Sequence, residues 1–283
     1  MRTDLHEANR LSWNAATAAH NSHKGDQAAF FRNGGSTLFP EEVDLLGDVG
    51  GLSLVHLQCN SGQDSLSLAR LGAEVTGVDI SDEAIDFASR LSVESGVAAT
   101  FERADVFAWL EAASRAGRSF DRAFSSYGAI IWLSDLMAWA RGVAGVLKPG
   151  GRFVLVEFHP MVMVFNEHWQ PHYDYFGGAV IEEPGVGDYV AQSGDGLMPD
   201  GTLAGVDDFR NPHRSYEFAW GLADVVSALL SAGLRLERLI EYPYANGWRG
   251  FERMRDLGGR RMAPPEDMPS LPMMYGLVAS KPA

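Results

Sequence analysis

Residues 52–81 constrain the fold more than any other part of the chain. The apolar run at residues 52–57 predicts a buried strand, and the tight loop after it contains Gly62. A helix of period near 3.6 then stops at Gly72, and a second strand ends at Asp79. An acidic residue about 20 residues past such a loop accepts hydrogen bonds from ribose hydroxyls. The segment therefore predicts half of a site for either a dinucleotide or S-adenosylmethionine.

The loop chemistry favours S-adenosylmethionine, because a pyrophosphate needs glycine at each GxGxxG position. Gln58 and Asn60 occupy two of those positions. Their polar side chains, with the backbone at Gly62, suit the amino and carboxylate ends of S-adenosylmethionine instead. Asp105 ends a third predicted strand, so that it and the amide of Val106 are placed to meet the adenine. A nicotinamide-dependent dehydrogenase is the alternative, disfavoured by the missing glycines and by the absence of a Tyr-x-x-x-Lys pair.

The composition and net charge limit the binding partners and the cellular compartment that we expect for this protein. The net charge of −14 argues against nucleic-acid and anionic-membrane partners, which reward basic surfaces. A single cysteine, Cys59, indicates a reducing compartment, and no apolar run approaches the roughly 18 residues that span a bilayer. We expect a cytoplasmic protein that binds a small molecule and has no nucleic-acid or membrane partner.

Helix and strand alternate from residue 41, which predicts an α/β fold with a mostly parallel sheet. Apolar runs at residues 152–158 and 274–280 predict strands, and residues 217–232 predict a helix. The predicted domains are an N-terminal helical flap (1–40), a cofactor-binding core (41–159), a lid insertion (160–215) and the completion of the core sheet (216–283).

The predicted lid has no periodicity and is rich in aromatic residues. A long irregular segment of this kind is usually functional, and large aromatic walls are typical of pockets for bulky organic ligands. The same side chains are also compatible with the surface of a homo-oligomer. The aromatic residues concerned are Phe165, Trp169, Tyr173, Tyr175 and Phe176.

The series HLQCNSGQ, VTGVDIS, RADVF, SSYG and LKPGGRFVLVEFHP resembles the class I S-adenosylmethionine-dependent methyltransferases over residues 45–160. The resemblance implies a Rossmann-like, seven-stranded, mostly parallel sheet. In that family the first loop is usually acidic-x-Gly-x-Gly-x-Gly, whereas His56, Gln58 and Asn60 stand here in place of the acidic residue and two glycines.

The motif LQCxxGxDxLSLAxxGAxVTGVDIS, with WN near the start and VEFHP after the fifth strand, resembles a subgroup common in actinobacterial small-molecule metabolism. That resemblance implies methylation of a hydrophobic secondary metabolite, for example C-methylation of a prenyl chain on an indole alkaloid with ensuing cyclisation. A cyclase of the same fold that uses the cofactor non-catalytically is the alternative, since fold does not fix function.

The resemblance also implies roles for five further residues. Ile80 would pack on the adenine face, and Ser125 and Tyr127 would border the sulfonium, where an aromatic face stabilises positive charge. Trp13 and Asn14, in the N-terminal helix, would close the cleft from above. Trp13 is equally explained as an ordinary contact of a helix with the sheet edge.

Methyl transfer from a sulfonium is an in-line displacement with an activated donor, so most catalysis comes from positioning the acceptor. The candidate catalytic residues are His159, which follows the fifth strand and titrates in a useful range, and Tyr127, which is placed to orient the acceptor. Alternation places Glu157 on the same side as His159. The alternative for His159 is a structural cap on the strand, and for Tyr127 a place in the core.

Two histidines, His168 and His172, stand four residues apart, as metal ligands on one helix face do. Pro171 disfavours a helix there, and no third ligand stands at a convincing spacing. The sequence therefore predicts no metal site.

Overall fold

The computed structural model describes residues 1–176 and 180–283. The helices are α1 (Thr3–Ser22), α2 (Gln27–Arg32), α3 (Pro40–Leu46), α4 (Gln63–Arg70), α5 (Asp82–Ser95), α6 (Val106–Arg115), α7 (Leu136–Val146), α8 (Tyr189–Ser193) and α9 (Leu222–Ser231). The strands are β1 (Ser53–Leu57), β2 (Glu74–Asp79), β3 (Thr100–Arg103), β4 (Phe120–Ser126), β5 (Leu147–Phe158), β6 (Val180–Glu183), β7 (Ser215–Phe218), β8 (Arg235–Tyr242), β9 (Ala245–Asn246), β10 (Arg255–Asp256), β11 (Arg261–Ala263) and β12 (Met274–Ser280).

Seven strands form the central sheet, in the order β3-β2-β1-β4-β5-β12-β8. Only β12 runs antiparallel to its neighbours β5 and β8; the pairs from β3 to β5 are parallel. This confirms the predicted Rossmann-like, mostly parallel fold. The carboxyl ends of the first five strands meet at one edge, where open α/β sheets bind their ligands.

Alternating residues of the buried strands feed two apolar layers. Val55 and Leu155 face α6, α7 and α9, whereas Leu54 and Val154 face α3 and α4. Burial on both faces explains why these strands are continuous apolar runs in the sequence. Within the two described ranges, no helix has the length and apolarity that crossing a membrane requires.

The segment predicted as a lid contains regular structure. β6 pairs antiparallel with β7, and α8 lies between them in sequence. The predicted helix over residues 217–232 is therefore wrong in its first turn, because β7 occupies the start and α9 begins only at Leu222. The reason is non-local: β7 is fixed by a partner strand about 35 residues earlier. Residues 177–179 of the predicted lid lie outside the described residues.

A second small sheet, in the order β10-β11-β9, lies between β8 and β12 in the chain. Arg261 on β11 forms an ion pair with Glu41 of α3, and Asn246 Nδ2 donates to Glu41 Oε2 at 3.1 Å. These contacts hold the small sheet against the start of the core and bring Arg260 to the site described next.

Candidate active site

A cavity of about 670 Å³ opens at the carboxyl edge of the sheet and extends beneath α1 and the predicted lid. Eight of the predicted site residues line it, drawn from α1, from the loops after β1 to β4 and from the end of β2. Four others do not line it: Asn14, Gly62, Ser125 and His159. Those that do are Trp13, Gln58, Asn60, Asp79, Ile80, Asp105, Val106 and Tyr127.

The loop after β1 keeps the backbone of a glycine-rich loop without the glycines. Gln58 and Asn60 have φ values of 57° and 48°, in the left-handed region that glycine adopts most easily. Gln58 Nε2 donates to the carbonyl of Ala129 at 2.8 Å, and its Oε1 is buried with no hydrogen-bond partner among the described residues. A buried acceptor of this kind without a partner is uncommon in folded proteins.

Asp79 ties this loop to the end of β2. Its Oδ2 accepts from the backbone N–H of Asn60 at 2.8 Å, and its Oδ1 accepts from that of Ser81 at 2.9 Å. Burial raises the pKa of Asp79, and the two N–H donors oppose that rise. Each carboxylate oxygen has a further lone pair, so Asp79 can accept from two ligand hydroxyls.

Gly62 serves packing rather than the cavity. Its φ is 77°, and a Cβ added there would lie 2.6 Å from the Cβ of Ala88 and 2.8 Å from the ring of Phe101. The contact of the loop with α5 and β3 therefore requires glycine at this position.

Asp105 begins α6 by accepting from the backbone N–H of Phe107 and Ala108. Its other oxygen lies 2.7 Å from His6 Nδ1, and His6 Nε2 lies 2.7 Å from Ser134 Oγ. Burial opposes ionisation of Asp105, yet the hydrogen bond with His6 leaves its pKa below the usual value. His6, which also lines the cavity, was missed by the sequence reasoning because no motif surrounds it.

The two predicted residues of α1 have different surroundings. Trp13 lines the cavity and packs edge-on against Trp132, with ring centroids 5.4 Å apart. Asn14 donates to Asp82 Oδ2 at 3.0 Å and accepts from Ser81 Oγ at 2.8 Å. Asn14 therefore fastens α1 to the start of α5 instead of contacting the cavity.

Two comparisons with known proteins identify the family. A family model described as a methyltransferase domain matches residues 55–151. The ubiquinone biosynthesis O-methyltransferase of Xanthomonas axonopodis pv. citri is 30% identical over 214 residues, which cover 76% of this chain and 75% of that protein. The chain belongs to the class I S-adenosylmethionine-dependent methyltransferases. Its cofactor is S-adenosylmethionine, as predicted, which decides against the nicotinamide-dependent alternative.

Solved structures show the same fold. An S-adenosylmethionine-dependent methyltransferase from Mesorhizobium loti has a TM-score of 0.56 and 22% identity, over 88% of this chain and all of that one. The DhpI complex with S-adenosylhomocysteine has a TM-score of 0.56 and 14% identity, over the whole of both chains.

Two cations of the methyltransferase line the cavity near the loop after β1, and neither was predicted. Lys24 Nζ donates to Asn21 Oδ1 at 3.2 Å, and burial lowers the pKa of Lys24 to about 8 against the opposing charge of Asp64. Arg260 lies over the ring of Phe39 at 4.0 Å and donates to the carbonyl of Thr37 at 3.2 Å. Burial lowers the pKa of Arg260 as well, and Asp64 again opposes that effect.

The end of β4 presents Ser126 and Tyr127 to the cavity, not Ser125. Ser125 is fully buried and its Oγ donates to the carbonyl of Leu57 at 3.3 Å. The hydroxyl of Tyr127 accepts from Asn246 Nδ2 at 2.9 Å. Burial raises the pKa of Tyr127 well above its usual value, so the phenol stays neutral at neutral pH.

Glu157 lines the cavity, but its carboxylate is committed to the backbone. It accepts from the N–H groups of Ala129 at 2.7 Å, Ile130 at 3.0 Å and Phe158 at 2.7 Å, and also from Gly128. Burial raises the pKa of Glu157, against these donors. Glu157 thus fixes the turn that carries Tyr127.

His159 lies away from the cavity, although it follows β5 as predicted. Its Nδ1 accepts from the backbone N–H of Met161 at 3.0 Å, and its Nε2 lies 2.9 Å from Glu241 Oε1. Burial lowers the pKa of His159, and Glu241 opposes that change. The position fits the alternative of a structural cap better than that of a base.

We expect His159→Ala to lower the free energy of unfolding by about 1 kcal/mol, the typical loss for one capping hydrogen bond. Affinity for S-adenosylhomocysteine should stay within a factor of two, because the ring does not reach the cavity. Urea denaturation and calorimetric titration measure the two quantities. A large loss of turnover at unchanged stability would restore His159 as a catalytic group.

The far end of the cavity is an apolar and aromatic wall. Of the five predicted lid aromatics, Trp169 instead packs on Phe251 with ring centroids 4.2 Å apart, and Phe176 is 93% exposed. The other three line the wall together with residues from the end of β5, from the 3₁₀ turn Val162–Val164 and from the loop between β9 and β10. The principal members are Phe158, Met163, Phe165, Tyr173, Tyr175, Trp248 and Phe251.

Proposed function

We propose that the protein transfers the methyl group of S-adenosylmethionine to a hydroxyl of a bulky, hydrophobic aromatic molecule. The observation that carries the proposal is one cavity whose lining combines polar, cofactor-type groups with the aromatic wall. The names of the curated relatives, ubiquinone biosynthesis O-methyltransferases, support oxygen as the acceptor atom.

We assign the cofactor contacts from the groups that remain available. Asp79 would accept from the ribose hydroxyls, and Gln58 would border the methionine end. Lys24 and Arg260 would hold the carboxylate, since among the described residues each donates only to neutral oxygens. Ile80 and the start of α6 would border the adenine.

The bound cofactor supplies an activated methyl group. The chain supplies position and exclusion of water. α1 covers one side of the cavity through Trp13, and the 3₁₀ turn Ile130–Trp132 borders the cavity next to it. Tyr127, fixed by Asn246, borders the space between the loop after β1 and the aromatic wall. Holding acceptor and donor in line is the largest contribution that such a site makes.

A second candidate is C-methylation of a prenyl chain in a secondary metabolite, with ensuing cyclisation. The observation in its favour is a set of aromatic faces that can stabilise a carbocation. The ring of Tyr127 lies 5.6 Å from that of Phe158, and Phe158 lies 4.5 Å from Trp248.

The test uses the purified protein, methyl-labelled S-adenosylmethionine and two acceptors, 4-tert-butylcatechol and a prenylated indole. We expect a mass gain of one methyl group on the catechol, with the label on oxygen by NMR. Labelled carbon on the prenylated indole would support the second candidate. If S-adenosylhomocysteine binds and neither acceptor gains a methyl group, both acceptor classes are wrong.

A further inference from the structure

Glu217 on β7 adds a further carboxylate to the lining of the cavity. It is the third residue of β7 and lies opposite Ile181 of β6. The backbone of its neighbour Tyr216 is held on both sides by Asn9 of α1, through bonds of 2.7 and 2.8 Å. Glu217 is half-buried, and its backbone position is fixed by two elements.

The elements packed against β7 bring little positive charge to Glu217. β6 contributes Glu183, whose Oε1 accepts from the hydroxyl of Tyr173 at 3.2 Å. α1 contributes His6, which is engaged with Asp105 and packs edge-on against Phe218. The turn Ile130–Trp132 contributes only apolar side chains.

Burial and, after it, the negative charge of Glu183 raise the pKa of Glu217 to about 7. A carboxylate of ordinary pKa, about 4.3, is a weak base toward a phenol of pKa about 10. Catalytic acids and bases work best when their pKa lies near the operating pH. At neutral pH a substantial fraction of Glu217 is therefore ionised, and this carboxylate is more basic than an exposed one.

We propose that the carboxylate of Glu217 takes the proton from the aromatic hydroxyl of the acceptor during methyl transfer. This inference rests on the proposed function. The O–H bond breaks and its proton passes to Glu217, while the oxygen electron pair forms the new bond to the methyl carbon. The carbon–sulfur bond breaks with its electron pair left on sulfur, which gives S-adenosylhomocysteine. Glu217 afterwards releases the proton to water.

The experiment compares Glu217→Gln with the unsubstituted protein on 4-tert-butylcatechol and 4-nitrocatechol. The nitro group stabilises the phenolate, so 4-nitrocatechol is ionised near neutral pH and needs no base. We expect kcat to fall about 100-fold on 4-tert-butylcatechol, a typical value for losing a general base, and less than threefold on 4-nitrocatechol. Unchanged calorimetric affinity for S-adenosylhomocysteine would show that the variant is folded.

The pH profile gives a readout that a structural role would not move. In the unsubstituted protein kcat/KM should rise with pH through about 7, as Glu217 loses its proton. This rising part of the profile should be absent in Glu217→Gln. Glu183→Gln removes the neighbouring negative charge that raises the pKa of Glu217. In this variant the rise in kcat/KM should therefore occur at lower pH.

The outcomes separate the two proposals. Equal loss on both catechols, or an unchanged pH profile, would overturn the role of Glu217 while methyl transfer by the unsubstituted protein stands. If the unsubstituted protein methylates neither catechol, the acceptor class fails and the role of Glu217 fails with it.

Discussion

Asp79→Ala should weaken binding of S-adenosylhomocysteine by about a thousandfold, or about 4 kcal/mol. Two hydroxyls donating to a buried carboxylate each contribute about 1.5–3 kcal/mol, and a factor of ten corresponds to about 1.4 kcal/mol. The same carboxylate also holds the N–H groups of Asn60 and Ser81, so its loss loosens the loop after β1.

Calorimetric titration with S-adenosylhomocysteine and with 5′-methylthioadenosine measures this effect. Both ligands keep the ribose, so both should lose affinity to a similar degree. Asp86→Ala is the matched control, because it removes one exposed carboxylate from α5. Near-normal affinity in Asp79→Ala would show that the ribose binds elsewhere.

The double variant Lys24→Met/Arg260→Met should also lose about a thousandfold in affinity for S-adenosylhomocysteine. Two charge-assisted hydrogen bonds to the ligand carboxylate, at about 2 kcal/mol each, account for the loss. Affinity for 5′-methylthioadenosine, which lacks the amino-acid end, should stay within a factor of three. The difference between the two ligands isolates the carboxylate contact from any general damage to the cavity.

Lys148→Met/Arg235→Met is the control, since these cations lie at the starts of β5 and β8. The affinity of the unsubstituted protein should fall as pH rises through about 8, where Lys24 loses its proton, and this component should be missing in Lys24→Met. Equal losses for both ligands would contradict the assignment of the carboxylate.

The central sheet could be predicted well because its strands are buried on both faces. Each such strand appears in the sequence as a continuous apolar run. β12 was predicted with the bounds that the structure has, and β5 begins five residues earlier than expected. β6 and β7 were missed, because strands of four residues show too little alternation and each exists only through the other. Such pairings depend on the folded chain and leave no local pattern.

The residues of the candidate site also fall into those that a local pattern predicts and those that only the folded chain brings together. Gln58, Asn60 and Asp79 belong to one continuous motif, so their shared place at the cavity could be predicted. Lys24, Arg260 and Glu217 come from separate segments that meet only after folding. His159 is the converse case, because one residue beyond β5 the chain turns and the side chain lies away from the cavity.

The helix α1 contacts both the cofactor side of the site and the strand β7. α1 is fastened to the start of α5 through Asn14, and it holds β7 through Asn9. An acceptor that settles against β7 therefore also steadies the helix that closes over the cofactor. We infer thermodynamic linkage between the two ligands, and reciprocity requires each to raise the affinity of the other by the same factor. An empty acceptor pocket therefore leaves the cofactor less firmly held, and an empty cofactor pocket does the same to the acceptor.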